Sequence, residues 1–269
     1  MKPNLKIVPT SEILPLTGFS EKKVIYLKNI IENSESIKNP LALAAVEHKY
    51  LLLEDAALLE AIRRANIHFV PAQVIRLKKN LKIYANLFAK DPVDSCLDDF
   101  QARFPRSCRF VNESATGDFN NSHTIFAPGS GKQDEKVLAI KKTGAGYISP
   151  LVFDFLEYLA CSCTLIEKIF PSEWRAVNLK KHDPPELLRI TNLTGTDLRF
   201  SGMNGYLLPS GSLRVEFGSR IIGINFPVRV LNEGVPAHQK EQFLYDLVNF
   251  RLKSGFSEYI KSGVYLLNY

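Results

Sequence analysis

The stretch from residue 41 to residue 77 constrains this chain most. Two short apolar runs, 41–46 and 50–53, are separated by Glu47-His48-Lys49, a gap of hairpin size. Residues 54–65 then change to a helical period, with Ala57, Leu58, Ala61, Ile62 and Ala65 at helical spacing. Residues 69–77 return to strand character, with Pro71 near the start, where a missing donor is tolerated. The expected class for the chain as a whole is α+β.

The rest of the chain is read around that core. A strand is expected over 5–8, ended by Pro9, and a helix over 20–31 with Ser20 at its N-cap and Glu21 in its first turn. Residues 78–89 read as a helix through Leu81, Tyr84, Ala85 and Phe88, and 94–104 as a further helical stretch. The span 112–136 is rich in Gly, Ser, Asn and Thr and reads as loops around short strands. Ser149 and Pro150 open an apolar helix that runs to Cys163, and Asp183-Pro184-Pro185-Glu186 reads as a second start of that kind. From 196 to 231 the apolar residues are broken by Gly202, Gly205, Pro209-Ser210-Gly211 and Gly218-Ser219, which predicts an antiparallel meander. An amphipathic helix over 237–253 and a strand over 259–267 close the chain.

At ~150 residues per domain, 269 residues allow one large domain or two small ones. The expected division is 1–90 and 91–269, with the cleft between the two as the default ligand site. No apolar run is long enough to cross a membrane, and residues 1–9 lack the apolar centre of a signal peptide, so a cytoplasmic protein without a membrane partner is expected. The three sites of glycosylation pattern, beginning at Asn112, Asn120 and Asn192, carry no meaning without secretion. With 34 Lys and Arg against 28 Asp and Glu, the net charge of +6 permits an anionic ligand without requiring one.

Four familiar chemistries fail on spacing. In Pro128-Gly129-Ser130-Gly131-Lys132-Gln133 a phosphate-binding loop would need Gly where Phe126 stands and Ser or Thr in place of Gln133, so the segment reads as a solvated turn. Gly144-Ala145-Gly146 lacks the third glycine of a dinucleotide fingerprint. Cys161-Ser162-Cys163 sets two thiols about 200° apart on a helix, which suits core packing better than a metal. The five His residues form no ligand pair, so no metal site is expected. The run Lys78-Lys79-Asn80-Leu81-Lys82 with Arg63-Arg64 reads as a solvated basic face.

One wider pattern remains. Asn39-Pro40-Leu41, Tyr50-Leu51-Leu52-Leu53-Glu54-Asp55, Ala61-Ile62, Asn66-Ile67 and Val70-Pro71-Ala72-Gln73-Val74 together resemble the ParB/sulfiredoxin-like fold family. Within it the chain looks most like the free-serine kinases, including the branch encoded with staphyloferrin B biosynthesis. The segments 5–9, 149–169 and 208–217 fit the same resemblance, which is weak between 91 and 142. It implies an N-terminal mixed sheet with helices, and a C-terminal half of helices and antiparallel sheet. It also implies ATP or ADP with Mg²⁺, and L-serine as phosphoryl acceptor. In that family an Asp-Gly turn and a His-Arg pair capture phosphate at a helix N-terminus.

This chain departs from the family at those positions. Glu54-Asp55 stand at the turn and Ala57-Leu58 where the His-Arg pair belongs, so both side-chain donors are replaced. The family's catalytic Glu falls at Thr17, and a threonine is no general base at neutral pH. Glu12 or Glu21 takes that role only in a re-routed loop, and Lys49, Arg76 or Lys78 are the candidates to replace the lost cations. The resemblance therefore nominates Glu54, Asp55 and the Thr17 position as catalytic candidates. It nominates Asn39, Ala57, Leu58 and Lys78 as ligand-binding positions.

Two readings stand open. In the first, the chain is a degenerate, non-catalytic relative that binds a nucleotide, serine or phosphoserine, DNA or an active paralogue. Its role is then regulatory, linked by resemblance to siderophore or amino-acid-derived metabolite biosynthesis. In the second, it is a serine kinase with a rearranged site, in which Glu54 and Asp55 hold Mg²⁺. A favourable place in the first turn of a helix, worth ~0.3–1 kcal/mol, explains the same acidic pair by itself and is preferred to a metal site.

Overall fold

In a computed structural model the described residues are 4–77, 82–89, 94–112, 123–128, 136–142, 149–162, 165–166, 186–216, 220–232, 234–254, 257–260 and 264–267. They form an α+β protein of two compact units, 1–78 with 216–269, and 79–215.

The first unit is built on a mixed five-stranded sheet. Its strands are β1 (Leu5–Pro9), β2 (Ile13–Pro15), β4 (Leu41–Val46), β5 (Lys49–Leu52) and β6 (Phe69–Ile75), in the order β1-β6-β4-β5-β2. The hairpin expected at Glu47-His48-Lys49 is present, with Ala44 opposite Leu51 and Glu47 in the left-handed region at φ 52°. β4 and β6 run parallel, Leu41 opposite Ala72 and Leu43 opposite Val74. The connection between them carries α2 (Ala56–Arg64), as a parallel crossover requires.

α1 (Glu21–Ser34) packs against α2. Ser20 stands at its N-cap as expected; its carbonyl accepts from Val24 N, while its hydroxyl makes no capping bond. The helix stops where Glu35 turns left-handed, at φ 49°. The unit's core joins Leu43, Leu52, Ala57, Leu59 and Ile62 to Val24, Val70 and Phe226, all buried.

The C-terminal segment completes this unit. α7 (Ala237–Lys253) lies on β1: the Tyr245 hydroxyl donates to Leu5 O at 2.8 Å, and Ile7 N donates to Glu241 Oε1 at 3.2 Å. These bonds occupy backbone groups on the outer edge of the sheet, which would otherwise be open to another strand. β14 (Arg220–Ile222) pairs in parallel with β17 (Val264–Leu267), and β17 pairs antiparallel with β16 (Ser257–Ile260). β3 (Ser36–Ile37) meets β15 (Phe226–Pro227), and the short α6 (Val228–Asn232) follows.

The second unit holds a seven-stranded sheet in the order β11-β7-β12-β9-β10-β8, with β13 also on β7. The strands are β7 (Lys82–Ala89), β8 (Cys108–Asn112), β9 (His123–Pro128), β10 (Lys136–Lys141), β11 (Leu165–Ile166), β12 (Glu186–Leu193) and β13 (Leu213–Glu216). α3 (Asp94–Arg103) and α4 (Pro150–Ser162) meet through Phe100 and Phe155, whose ring centroids are 4.6 Å apart. At the start of α4 the Ser149 hydroxyl accepts from Leu151 N at 3.3 Å, the cap expected there.

Four local expectations are corrected. Residues 82–89 form a strand, not a helix: the run also reads with period two, and pairing with β11 and β12 selects that period. Glu186–Leu193 is a strand rather than a helix start, since Leu187, Leu188 and Ile190 lie in a ladder between β7 and β9. The meander over 196–231 is instead a helix followed by separate short strands. α5 (Gly195–Asn204) opens on a capping box between Thr194 and Asp197 and ends at Gly205, φ 72°. The strand expected over 259–267 is the hairpin β16–β17, with Tyr259 opposite Tyr265.

Candidate functional site

The turn between β5 and α2 carries the nominated acidic pair, and its geometry is fixed by what lies on either side. Leu53 is buried, and its amide continues the sheet by donating to Ala42 O at 3.0 Å. Asp55 adopts φ 60° and ψ 52°, a left-handed conformation that favours Gly and is tolerated by Asp. Its carbonyl opens α2 by accepting from Leu58 N at 3.0 Å and Leu59 N at 3.3 Å. Its carboxylate makes no capping bond and takes Lys23 Nζ of α1 at 2.8 Å instead.

Glu54 points to a different element. Its carboxylate forms an ion pair with the Arg220 guanidinium at the start of β14. The Arg220 side chain is 15% exposed and that of Glu54 43%. Burial draws Arg220 below the ordinary guanidinium value, and the charges of Glu54 and Asp55 oppose that shift. The two carboxylates of the turn are thus each matched by a cation, one from α1 and one from the C-terminal segment.

The strand that carries Arg220 is tied down by side chains of the first sheet. Gln73 of β6 is buried, and its Oε1 accepts from Ile221 N at 3.0 Å. Asn39 Oδ1 accepts from Gly223 N at 2.8 Å. The Gly223 carbonyl accepts from Arg251 at 2.6 Å and from Asn225 Nδ2 at 3.0 Å. Gly223 itself has φ 75°, which a glycine adopts without strain.

The other nominated residues take varied places. The Asn39 side chain is engaged with Gly223, as above. Ala57 is buried in the core, and Leu58 is partly buried against it. Thr17 is buried at 8% exposure. Lys49 begins β5, five residues ahead of Glu54 and about 16 Å along an extended strand. Arg76 is exposed beyond the end of β6, and Lys78 lies outside the described residues.

Of the alternative bases, Glu12 sits in the 3₁₀ turn after β1. Glu21 is committed to Arg64 at the far end of α2, and that hydrogen bond holds its carboxyl below the usual carboxylate range. Arg64 also holds Glu60 at 2.9 Å. Arg63 donates to Thr10 O at 2.8 Å and Ile13 O at 2.9 Å, which ties α2 to the segment that leads to Thr17. Among the described residues no group of three His, Cys, Asp or Glu is placed to hold a metal ion, and no helix is long and apolar enough to cross a membrane.

Sequence reasoning missed Arg220, Gln73 and Arg251. Gln73 had a signal, a polar side chain inside an apolar strand. Arg220 had only its position beside Ile221-Ile222, and nothing local linked it to the acidic turn.

No family model and no curated protein matches the sequence. Solved structures do match. SbnI with a C-terminal truncation from Staphylococcus aureus is 15% identical over 91% of this chain and 96% of that chain, with a TM-score of 0.62. A free serine kinase in complex with AMP is 14% identical over 86% of this chain and 95% of that one, TM-score 0.52. A point variant of a free serine kinase in complex with ADP is 13% identical over the same shares, TM-score 0.53. The fold is therefore the one shared by the free serine kinases and SbnI, as the resemblance in sequence implied.

Proposed function

We propose that this chain uses the serine-kinase fold to bind an adenine nucleotide, serine or phosphoserine in a regulatory role, and that it does not transfer phosphate. One observation carries this reading: the turn into α2 presents Glu54 and Asp55, already neutralised by Arg220 and Lys23, followed by Ala56-Ala57-Leu58-Leu59. Phosphoryl transfer rests on positioned cations, and an added arginine alone changes such rates by ~10³–10⁵. No cationic side chain stands in the first turn of α2, and the net charge of the turn and its partners is close to zero. A positioned general base is worth ~10²–10⁴ more, and Thr17 supplies none. Nucleotide binding is supported by the AMP and ADP complexes of the structurally similar kinases. An active paralogue or DNA as partner, and a link to siderophore biosynthesis, belong to the same reading by resemblance only.

A second reading is favoured by Arg220 itself. Its buried guanidinium offers a cation at the turn, and with Mg²⁺ on Glu54 and Asp55 the chain would phosphorylate L-serine from ATP or ADP. The test is ³¹P NMR of the protein with Mg²⁺, L-serine and either nucleotide, beside calorimetric titration with AMP, ADP and O-phospho-L-serine. Binding of at least one of these without formation of O-phosphoserine is expected. O-phosphoserine formed by the wild type and lost in a Glu54→Ala, Asp55→Ala variant overturns the proposal in favour of the kinase.

A further inference from the structure

We propose that Arg220 is the oxyanion-recognising side chain of this site and that Glu54 is its built-in competitor, so that a ligand's phosphate or carboxylate binds by displacing Glu54. The inference rests on the reading of this turn as the ligand site. It follows from an asymmetry between the two members of the pair. The cation is fixed: Arg220 is 15% exposed, and its strand is held by Gln73 through Ile221 N and by Asn39 through Gly223 N. Arg251 and Asn225 close the other side of Gly223 through its carbonyl. The anion is adjustable: Glu54 is 43% exposed, has three side-chain torsions and sits in the turn ahead of the left-handed Asp55.

A guanidinium presents a planar fork of donors that a carboxylate and a phosphate satisfy alike. The place that Glu54 fills beside Arg220 is therefore one that suits an oxyanion of similar size. Swinging Glu54 outward forfeits its charged hydrogen bonds to Arg220, a cost that the water its carboxylate regains offsets only in part. The charge of Asp55 does not close the site to an anion, because Lys23 Nζ lies 2.8 Å from its carboxylate. Withdrawing Glu54 without a replacement is costly, because a largely buried guanidinium would lose a charged partner. Exchange of one oxyanion for another avoids that cost.

The experiment compares wild type, Glu54→Gln and the Glu54→Gln, Arg220→Gln double variant by calorimetry with inorganic phosphate, AMP, L-serine and O-phospho-L-serine. Glu54→Gln keeps the shape of the side chain and removes its charge. A charged hydrogen bond of this kind contributes enough that its loss as a competitor should tighten phosphate binding ~10–100-fold. The double variant should lose that gain. The four probes separate a phosphate preference from a carboxylate preference.

Stability supplies a second readout that does not depend on measurable heats. Glu54→Gln should melt lower than wild type, and millimolar phosphate should restore it more than it raises the wild type. Equal phosphate affinities in wild type and Glu54→Gln, or a gain that persists in the double variant, overturn the inference. Nucleotide binding by the wild type with no gain in Glu54→Gln removes this inference alone. A gain for phosphate without any nucleotide binding removes the nucleotide reading and leaves this one standing.

Discussion

Lys142→Met is the substitution whose outcome the structure bounds most tightly. Lys142 Nζ lies 2.5 Å from Asp197 Oδ2, and both side chains are 1% exposed. The same oxygen accepts from Thr194 N at 2.7 Å and from the Thr194 hydroxyl at 2.8 Å, while Asp197 Oδ1 has no hydrogen-bond partner among the described residues. At an effective dielectric near 20, the attraction within the pair is roughly 6–7 kcal/mol, much of it offset by the desolvation of both charges. Methionine keeps most of the lysine volume, removes the attraction and leaves the carboxylate buried. Losing one member of such a pair costs ~3–5 kcal/mol.

Adding Asp197→Asn should recover more than half of the loss, since an amide oxygen still accepts from Thr194 N.

Hydrogen exchange of the α5 amides read by mass spectrometry measures this locally, and urea unfolding followed by circular dichroism measures it globally. About 4 kcal/mol corresponds to roughly a thousandfold loss of protection at pH 7. Protection within tenfold of wild type, or a double variant less stable than the single one, would refute the reasoning.

Two smaller predictions concern the same unit. Gly205 has φ 72° and open space where a Cβ would stand, so Gly205→Ala should cost ~1 kcal/mol from backbone strain alone and Gly205→Asn less, both read from urea midpoints. Burial pushes the Cys108 thiol from the ordinary 9.0 up to about 11, so the native chain should resist iodoacetamide at pH 8 at this position while the unfolded chain reacts. The sign for stability follows from the raised value: the contribution is intact below pH 9 and is lost as pH rises from 9 through about 11, which a pH series of thermal melts will show.

The legible parts of the fold were those in which one period dominates a segment. The 237–253 helix is legible because its period holds over many residues, and the helix that begins at Pro150 because cap, period and length agree. Residues 82–89 fit both periods, and only the partner strands decide between them. α5 does carry a local signal, since Thr194-x-x-Asp197 followed by Gly205 is a helix start and stop, but the apolar spacing over the longer span also fits strands. Of the candidate site, the acidic turn and the loss of donors on α2 were plain, because they are consecutive residues.

The sequence by itself determined the hairpin, the helix α2 and the strand that follows it, since each follows from local periodicity and turn chemistry. It also determined the charge that the turn presents. Only the tertiary structure decided what answers that charge. Arg220 reaches Glu54 from the far end of the chain, on a strand held by Asn39 across 184 residues of sequence. Such a pairing has no local period and no spacing rule: it depends on the C-terminal segment returning to the first sheet, and that return is set by the burial of Phe226, Leu244 and Val248 in a core built mostly from the first 75 residues.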